Sequence, residues 1–204
     1  MPPFLRGLTL GLSLIVAIGP QNAFVLRQGL TRQHGLLAAF VCALADSLLI
    51  TLGVLGVGAF LARSPALTLV GTLAGAAFLL WYGWRSFLSA RKPVALETAG
   101  QAQQSPRAVL ATALAFSFLN PHVFLDTLVL IGGASAGLSD SGRMGFLGGT
   151  LLASWLWFFG LALAGRQLAP VMNNPRAWQV LDVLIGVMMW AIAAGLVWGA
   201  VQGK

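Results

Sequence analysis

Six long apolar runs alternate with basic or turn-forming residues along this chain, covering roughly residues 4 to 26, 35 to 61, 66 to 88, 108 to 138, 144 to 169 and 177 to 201. At about 1.5 Å per helical residue, each can cross a hydrocarbon core of about 30 Å. The pattern predicts an all-α integral membrane protein of six transmembrane helices. The longest polar stretch, Arg91 to Arg107, holds Glu97, Gln101, Gln103, Gln104 and Ser105. It separates a first three-helix repeat (1–90) from a second (108–204), with 91–107 as a cytoplasmic linker. With three spans per half, the second half enters the membrane in the opposite sense, so the halves are expected to form an inverted repeat.

Basic residues orient the runs. The loops after the first, third and fifth runs carry Arg27, Arg32, Arg85, Arg91, Lys92, Arg107, Arg166 and Arg176, and the other side carries Arg6, Arg63, Arg143 and Lys204. The excess of Lys and Arg on cytoplasmic loops places these three loops in the cytoplasm and both termini outside. A five-span arrangement with the first run re-entrant would reverse the N-terminus.

Composition narrows the class. The chain is 58% hydrophobic and only 8% charged, with mean hydropathy +0.86, too few charges for a water-facing surface. The net charge of +7 comes from basic residues scattered singly, not from the clustered footprint that nucleic acid requires. The single cysteine, Cys42, lies inside an apolar run and reads as a packing residue,. Phe4 to Ile18 has the length of a signal-peptide core, but no small-x-small pattern follows it, so it reads as a retained first helix,. Pairs of glycines one turn apart, at Gly7 and Gly11, Gly71 and Gly75, Gly133 and Gly137, Gly145 and Gly149, and Gly195 and Gly199, predict close helix contacts. They read as packing and leave open whether the protein is a homodimer.

Two runs are interrupted in corresponding places. Gly19-Pro20-Gln21-Asn22 breaks the first, and Asn120-Pro121-His122 breaks the fourth. Proline removes a backbone donor and clashes with the preceding turn, while Asn-Pro is an ordinary way to start a helix. Helices 1 and 4 are therefore expected to be broken. A half-helix that starts inside the membrane aims unpaired N–H groups and a partial positive charge at what lies before it, which suits a carboxylate near the midplane. Prolines that merely kink a membrane helix are the plainer alternative.

Of five acidic residues, Asp46 and Asp126 lie deep in apolar runs. Asp46 falls about 16 Å into its run, near mid-bilayer, where an aspartate costs roughly 2.5 to 3.5 kcal/mol on insertion scales. Such a cost points to function. Asp126 follows Pro121 by five residues, near the beginning of the second half-helix, and His122 is placed one turn earlier to order it by a hydrogen bond. Ser154 can hydrogen-bond inward from the fifth helix. The aromatic residues Trp155, Trp157, Phe158 and Phe159 beside it read as lipid-facing or packing. Asp182 reads as a first-turn residue of the last helix that faces the interface or supports the helix dipole. A pairing of either membrane aspartate with an arginine or a backbone group is the structural alternative.

Read together, these segments resemble the lysine and arginine exporter family (LysE/ArgO), most closely its arginine-exporter branch. The resemblance rests on Ile18-Gly19-Pro20-Gln21-Asn22-Ala23-Phe24-Val25 with Gln28-Gly29, and on Cys42-Ala43-Leu44-Ala45-Asp46. It continues through Ala77-Phe78-Leu79-Leu80-Trp81-Tyr82-Gly83, Leu119-Asn120-Pro121-His122-Val123-Phe124-Leu125-Asp126-Thr127 and Leu156-Trp157-Phe158-Phe159-Gly160. It implies export of basic amino acids across the bacterial inner membrane, driven by the membrane gradient without cofactor or metal. The family's motifs and membrane aspartates fall on Gly19 to Asn22, Asn120, Pro121, Asp46 and Asp126. The final segment is less alike.

The reading is a multi-pass secondary exporter of L-arginine, with L-lysine a further cargo, in contact with membrane lipid and protons. Gly19, Pro20, Gln21, Asn22, Asn120 and Pro121 would bind the substrate's carboxylate. Asp46 and Asp126 would take its cationic groups and the exchanged proton, with His122 and Ser154 in support. Moving a monovalent cation out against an inside-negative potential costs about 2.3 kcal/mol per 100 mV, and exchange for one incoming proton cancels that term. Alternatives are an exporter of neutral amino acids or of another small cation on the same fold, and, in a different class, a channel or structural subunit. An enzyme is not expected, because no nucleophile with a base and no catalytic metal constellation is present.

Overall fold

The computed structural model describes residues 1–16, 19–56, 65–91, 104–119, 123 and 125–202. The regular elements among these residues are all helical. They are α1 (Pro3–Ile15), α2 (Pro20–Leu30), α3 (Gly35–Val54), α4 (Pro65–Arg91), α5 (Pro106–Phe118), a π-helical segment (Leu125–Ile131) running into α6 (Gly132–Ser135), α7 (Asp140–Leu168), a 3-10 turn (Ala169–Asn173) and α8 (Pro175–Val201).

Local chemistry sets the helix starts. Helices α1, α2, α4, α5 and α8 each begin on a proline, whose fixed φ suits the first helical turn and whose missing N–H would be unpaired there anyway. Side chains of Ser105, Ser139 and Asn174 cap α5, α7 and α8 by accepting from Ala108 N, Gly142 N and Arg176 N,. Gly19 is extended (φ −122°, ψ 176°) immediately before Pro20. The axes of α1 and α2 differ by 81°, so the first apolar run is a broken helix. Gly56, just past α3, has φ +89°, a conformation that favours glycine after a helix end.

Among the described residues, α3, α7 and α8 are each long and apolar enough to span a membrane, and the bent pair α1–α2 makes a fourth candidate span. Helix α3 is apolar on all sides, as a helix between lipid and core must be. Leu36, Phe40, Leu44 and Leu48 are exposed at four-residue spacing, while Ala38, Cys42, Ala45, Asp46 and Leu49 are buried.

Helix α7 is the central post and packs on α1, α2 and α3, while α4 and α8 pack on each other. Close crossings rest on glycine. A Cβ on Gly7 would overlap the Phe146 carbonyl, and one on Gly149 would overlap the Phe4 carbonyl. The glycine pairs did not all become contacts, however. Among the described residues, nothing lies within 4 Å of where a Cβ would stand on Gly133, Gly137, Gly195 or Gly199, so these four close no helix crossing between described elements. The α4–α8 pair meets the rest of the bundle at an aromatic cluster, with Phe116 of α5 centred 4.9 Å from Phe78 and 4.8 Å from Tyr82, both on α4, and 5.4 Å from Phe24 of α2.

Candidate functional site

Asp46 is the point where four helices converge. It is 3% exposed and lies 11 residues into α3, about 16 Å along its axis. From the first turn of α2, Gln21 Nε2 donates to Asp46 Oδ1 at 3.3 Å and to Ser117 Oγ at 3.2 Å. From mid-α7, Ser154 Oγ donates to Asp46 Oδ2 at 3.3 Å. Ser117, in the last turn of α5, in turn donates to the Ala113 carbonyl at 3.0 Å. Gln21, Ser117 and Ser154 are all buried.

The lengths of these bonds are informative. Hydrogen bonds to an ionised carboxylate usually run about 2.5 to 2.9 Å. Two neutral donors at 3.3 Å leave the Asp46 oxygens short of charged or close partners. The ion pair found among the described residues, Arg27 with Asp182, lies elsewhere. A buried carboxylate so weakly matched gains from a proton or a cation.

The break between α1 and α2 is built by side chains. Asn22 Nδ2 donates to the carbonyl of Ile15, the last residue of α1, at 2.8 Å. Asn22 Oδ1 accepts from Trp157 Nε1 at 3.2 Å. A helix end inside a membrane leaves carbonyls with no intrahelical partner, and the Asn22 amide satisfies one of them. The N-cap residue of α2 is Gly19, which has no side chain to cap it, and Gln21 in the first turn reaches Asp46.

Of the residues singled out in the sequence, the structure brings together Gln21, Asp46 and Ser154, with Gly19, Pro20 and Asn22 shaping the half-helix start. It does not bring Asp126 to the same level. Asp126 belongs to the π-helical segment, which crosses α3 at Gly53, where a Cβ would overlap the Thr127 carbonyl. Gly53 is seven residues past Asp46, about 10 Å further along α3. Asn120, Pro121 and His122, which carry the second predicted break, lie outside the described residues.

Two expectations are corrected. Asp182 is not in the first turn of the last helix. Helix α8 begins at Pro175, so Asp182 sits two turns in, buried, with Oδ1 3.0 Å from Arg27 Nη1. Arg27 is correspondingly not a loop charge: it occupies the last turn of α2 and turns inward. The aromatic residues of α7 pack against the core as expected, with Trp155 Nε1 also donating to Ser47 Oγ at 3.0 Å and Trp157 Nε1 to Asn22. Ser117 was not singled out, and its only signal was a hydroxyl one turn before the Asn120-Pro121 motif.

Residues 12–199 match the family model described as LysE type translocator. The arginine exporter protein ArgO of Pectobacterium carotovorum is 45% identical over 194 residues, 95% of each chain. That of Serratia proteamaculans is 44% identical over 196 residues, 96% of each chain. That of Salmonella schwarzengrund is 44% identical over 191 residues, 93% of this chain and 90% of that one. No solved structure matches the chain. A family match over nearly the whole length, on helices long and apolar enough to span a bilayer, means that this chain belongs to the LysE-type translocator family and is a multi-pass membrane transporter, not an enzyme.

Proposed function

We propose that this protein exports L-arginine, with L-lysine as a second cargo, from the cytoplasm across the bacterial inner membrane in exchange for protons. The observation that carries the mechanism is Asp46: a buried mid-helix carboxylate held, among the described residues, by two stretched neutral donors, Gln21 and Ser154. The relatives named as arginine exporters over almost the full length support the cargo.

In this reading Asp46 alternates between a proton and the substrate's cationic group. Substrate binding displaces the proton on the cytoplasmic side, and an outside proton displaces the substrate. The start of α2 takes the α-carboxylate, with Gln21 exchanging its bond to Ser117 for one to the substrate,. Asp126, on the π-helical segment, would supply a second negative station about 10 Å away along α3. Asn120 and Pro121 would start the matching half-helix, and His122 would order Asp126, in a six-span inverted repeat. A neutral amino acid would leave the Asp46 charge unmatched, which is why cationic cargo is preferred here.

The test is flux from arginine-loaded proteoliposomes containing the purified protein. Efflux should accelerate when the outside is acidified, fall to the basal rate with a protonophore, and be inhibited by lysine more strongly than by homoserine. Efflux indifferent to the proton gradient would exclude exchange, and homoserine inhibiting as strongly as lysine would exclude selection for a cation.

A further inference from the structure

A second buried polar cluster lies at the junction of α2, α4 and α8, away from Asp46. Its centre is the Arg27–Asp182 pair, 3.0 Å between Nη1 and Oδ1. Arg27 Nη2 also donates to Ser89 Oγ at 3.4 Å, and Tyr82 stands beside the same guanidinium. Tyr82, Ser86 and Ser89 fall at i, i+4 and i+7, on one face of α4. On α8, Trp178 is one turn before Asp182, on the same face.

This cluster is under-satisfied in a way that a purely structural ion pair would not be. Among the described residues, Ser86 Oγ and Trp178 Nε1 are buried with no hydrogen-bond partner, and Asp182 Oδ1 has its ion pair with Arg27 but no well-directed hydrogen bond. Buried polar atoms are nearly always partnered, and a buried ion pair offsets its desolvation only when its remaining donors and acceptors are met. Here a guanidinium, a carboxylate and the Ser89 hydroxyl meet, with the buried Ser86 hydroxyl and Trp178 N–H on the same faces of α4 and α8,. Arg27 lies six residues past Gln21, about 9 Å along α2, toward the turn that the basic-residue pattern places at the cytoplasmic face. The aromatic layer of Phe24, Phe78, Tyr82 and Phe116 stands between this cluster and Asp46, since Ser117, next to Phe116, is what holds Gln21.

We propose that Arg27 and Asp182, with Ser86, Ser89 and Trp178, form a second, cytoplasm-side binding site for the zwitterionic backbone of an α-amino acid. The substrate's carboxylate inserts against Arg27 and its ammonium against Asp182, so one internal ion pair is exchanged for two. The inference rests on the amino-acid export reading and divides selection into two steps. The cytoplasm-side cluster recognises the α-amino and α-carboxylate groups, whatever the side chain, and Asp46 then recognises the extra cation.

The test is equilibrium binding of labelled L-arginine to the full chain in lipid nanodiscs, with L-citrulline and agmatine as competitors. Citrulline keeps the zwitterion and lacks the side-chain charge; agmatine keeps the guanidinium and lacks the carboxylate. Asp46→Asn should retain one saturable arginine site at which citrulline competes and agmatine does not. Adding Arg27→Gln or Asp182→Asn to that background should weaken the remaining site about tenfold or more, as expected for loss of one charged hydrogen bond. Arg27→Lys keeps the charge and the pair with Asp182 but lacks the planar fork for a carboxylate. Alone, it should raise the arginine KM for transport by a larger factor than it lowers the maximal rate. A wild-type KM in Arg27→Lys would make the pair merely structural and overturn the proposal. So would arginine binding in the wild type with no residual site in Asp46→Asn, a result that leaves the export reading standing. A wild type that binds citrulline and agmatine but not arginine would overturn both.

Discussion

Replacing Asp46 by asparagine removes the charge and almost nothing else. Asparagine has the same shape, Gln21 Nε2 can still donate to its Oδ1, and the Ser154 hydroxyl, which donates to Asp46 Oδ2 at 3.3 Å, can rotate to accept from Nδ2. The fold should therefore change in stability by less than about 1 kcal/mol, because both contacts are already stretched neutral-donor bonds. What disappears is the acceptor for the substrate's cation. Hydrogen bonds to a charged group contribute about 1.5 to 3 kcal/mol each, and a guanidinium or ammonium can place two N–H groups on one carboxylate. The loss is then about 3 to 6 kcal/mol, or about two to four orders of magnitude in arginine affinity at the midplane. The assay pairs a thermal melt of the purified variant with arginine efflux from proteoliposomes at the wild-type KM. We expect a melt within a few degrees of wild type and efflux below about 1%. A variant that melts normally and transports within twofold of wild type would refute the assignment of Asp46 as the carboxylate that takes the substrate.

Three further outcomes follow from the same geometry. Asn22→Ala leaves the Ile15 carbonyl and the Trp157 N–H without the partners that the Asn22 side chain provides, which should destabilise the fold by about 2 to 6 kcal/mol and appear as a lowered melting temperature in nanodiscs. Gly149→Leu would drive a side chain into the Phe4 carbonyl; small-to-large changes in packed sites cost about 1 to 3 kcal/mol and backbone cannot give way, so the upper end is expected, read as loss of monodisperse protein on extraction. Because arginine and a proton compete for Asp46, the apparent KM should rise as the loading side is acidified, approaching about tenfold per pH unit once Asp46 is mostly protonated. In Asp46→Asn that dependence should vanish, and its persistence would assign the proton to another group.

Much of the half-helix at α1–α2 was legible from residues 19 to 22 alone, because a proline's lack of a donor and its clash with the preceding turn are local properties that no tertiary context reverses. The depth of Asp46 was equally local, since it needs only the length of the apolar run around it and the rise per residue. Pairings were not legible. Gln21 meets Ser117 across 96 positions and Asp46 meets Ser154 across 108, and any of several hydroxyls in the apolar runs had the chemistry to fill those places. Asn22 shows the same: its amide reads as a substrate ligand in the sequence, and the fold adds partners that spacing could not name, the Ile15 carbonyl and Trp157.

The glycine pairs show the same division from the other side. Spacing identifies a small-residue stripe, but a stripe becomes a crossing only where another backbone arrives, as α1 and α7 do at Gly7 and Gly149 and as none of the described residues does at Gly195 and Gly199. What the sequence by itself determined is the membrane setting, the break before Pro20 and the burial of a costly aspartate, since each follows from the solvation of one contiguous segment. The tertiary structure alone decided that Asp46 would be left with weak neutral partners while Asp182 would take Arg27, because charge compensation in a low-dielectric core depends on which helices lie side by side, and that is settled by the packing of the whole bundle.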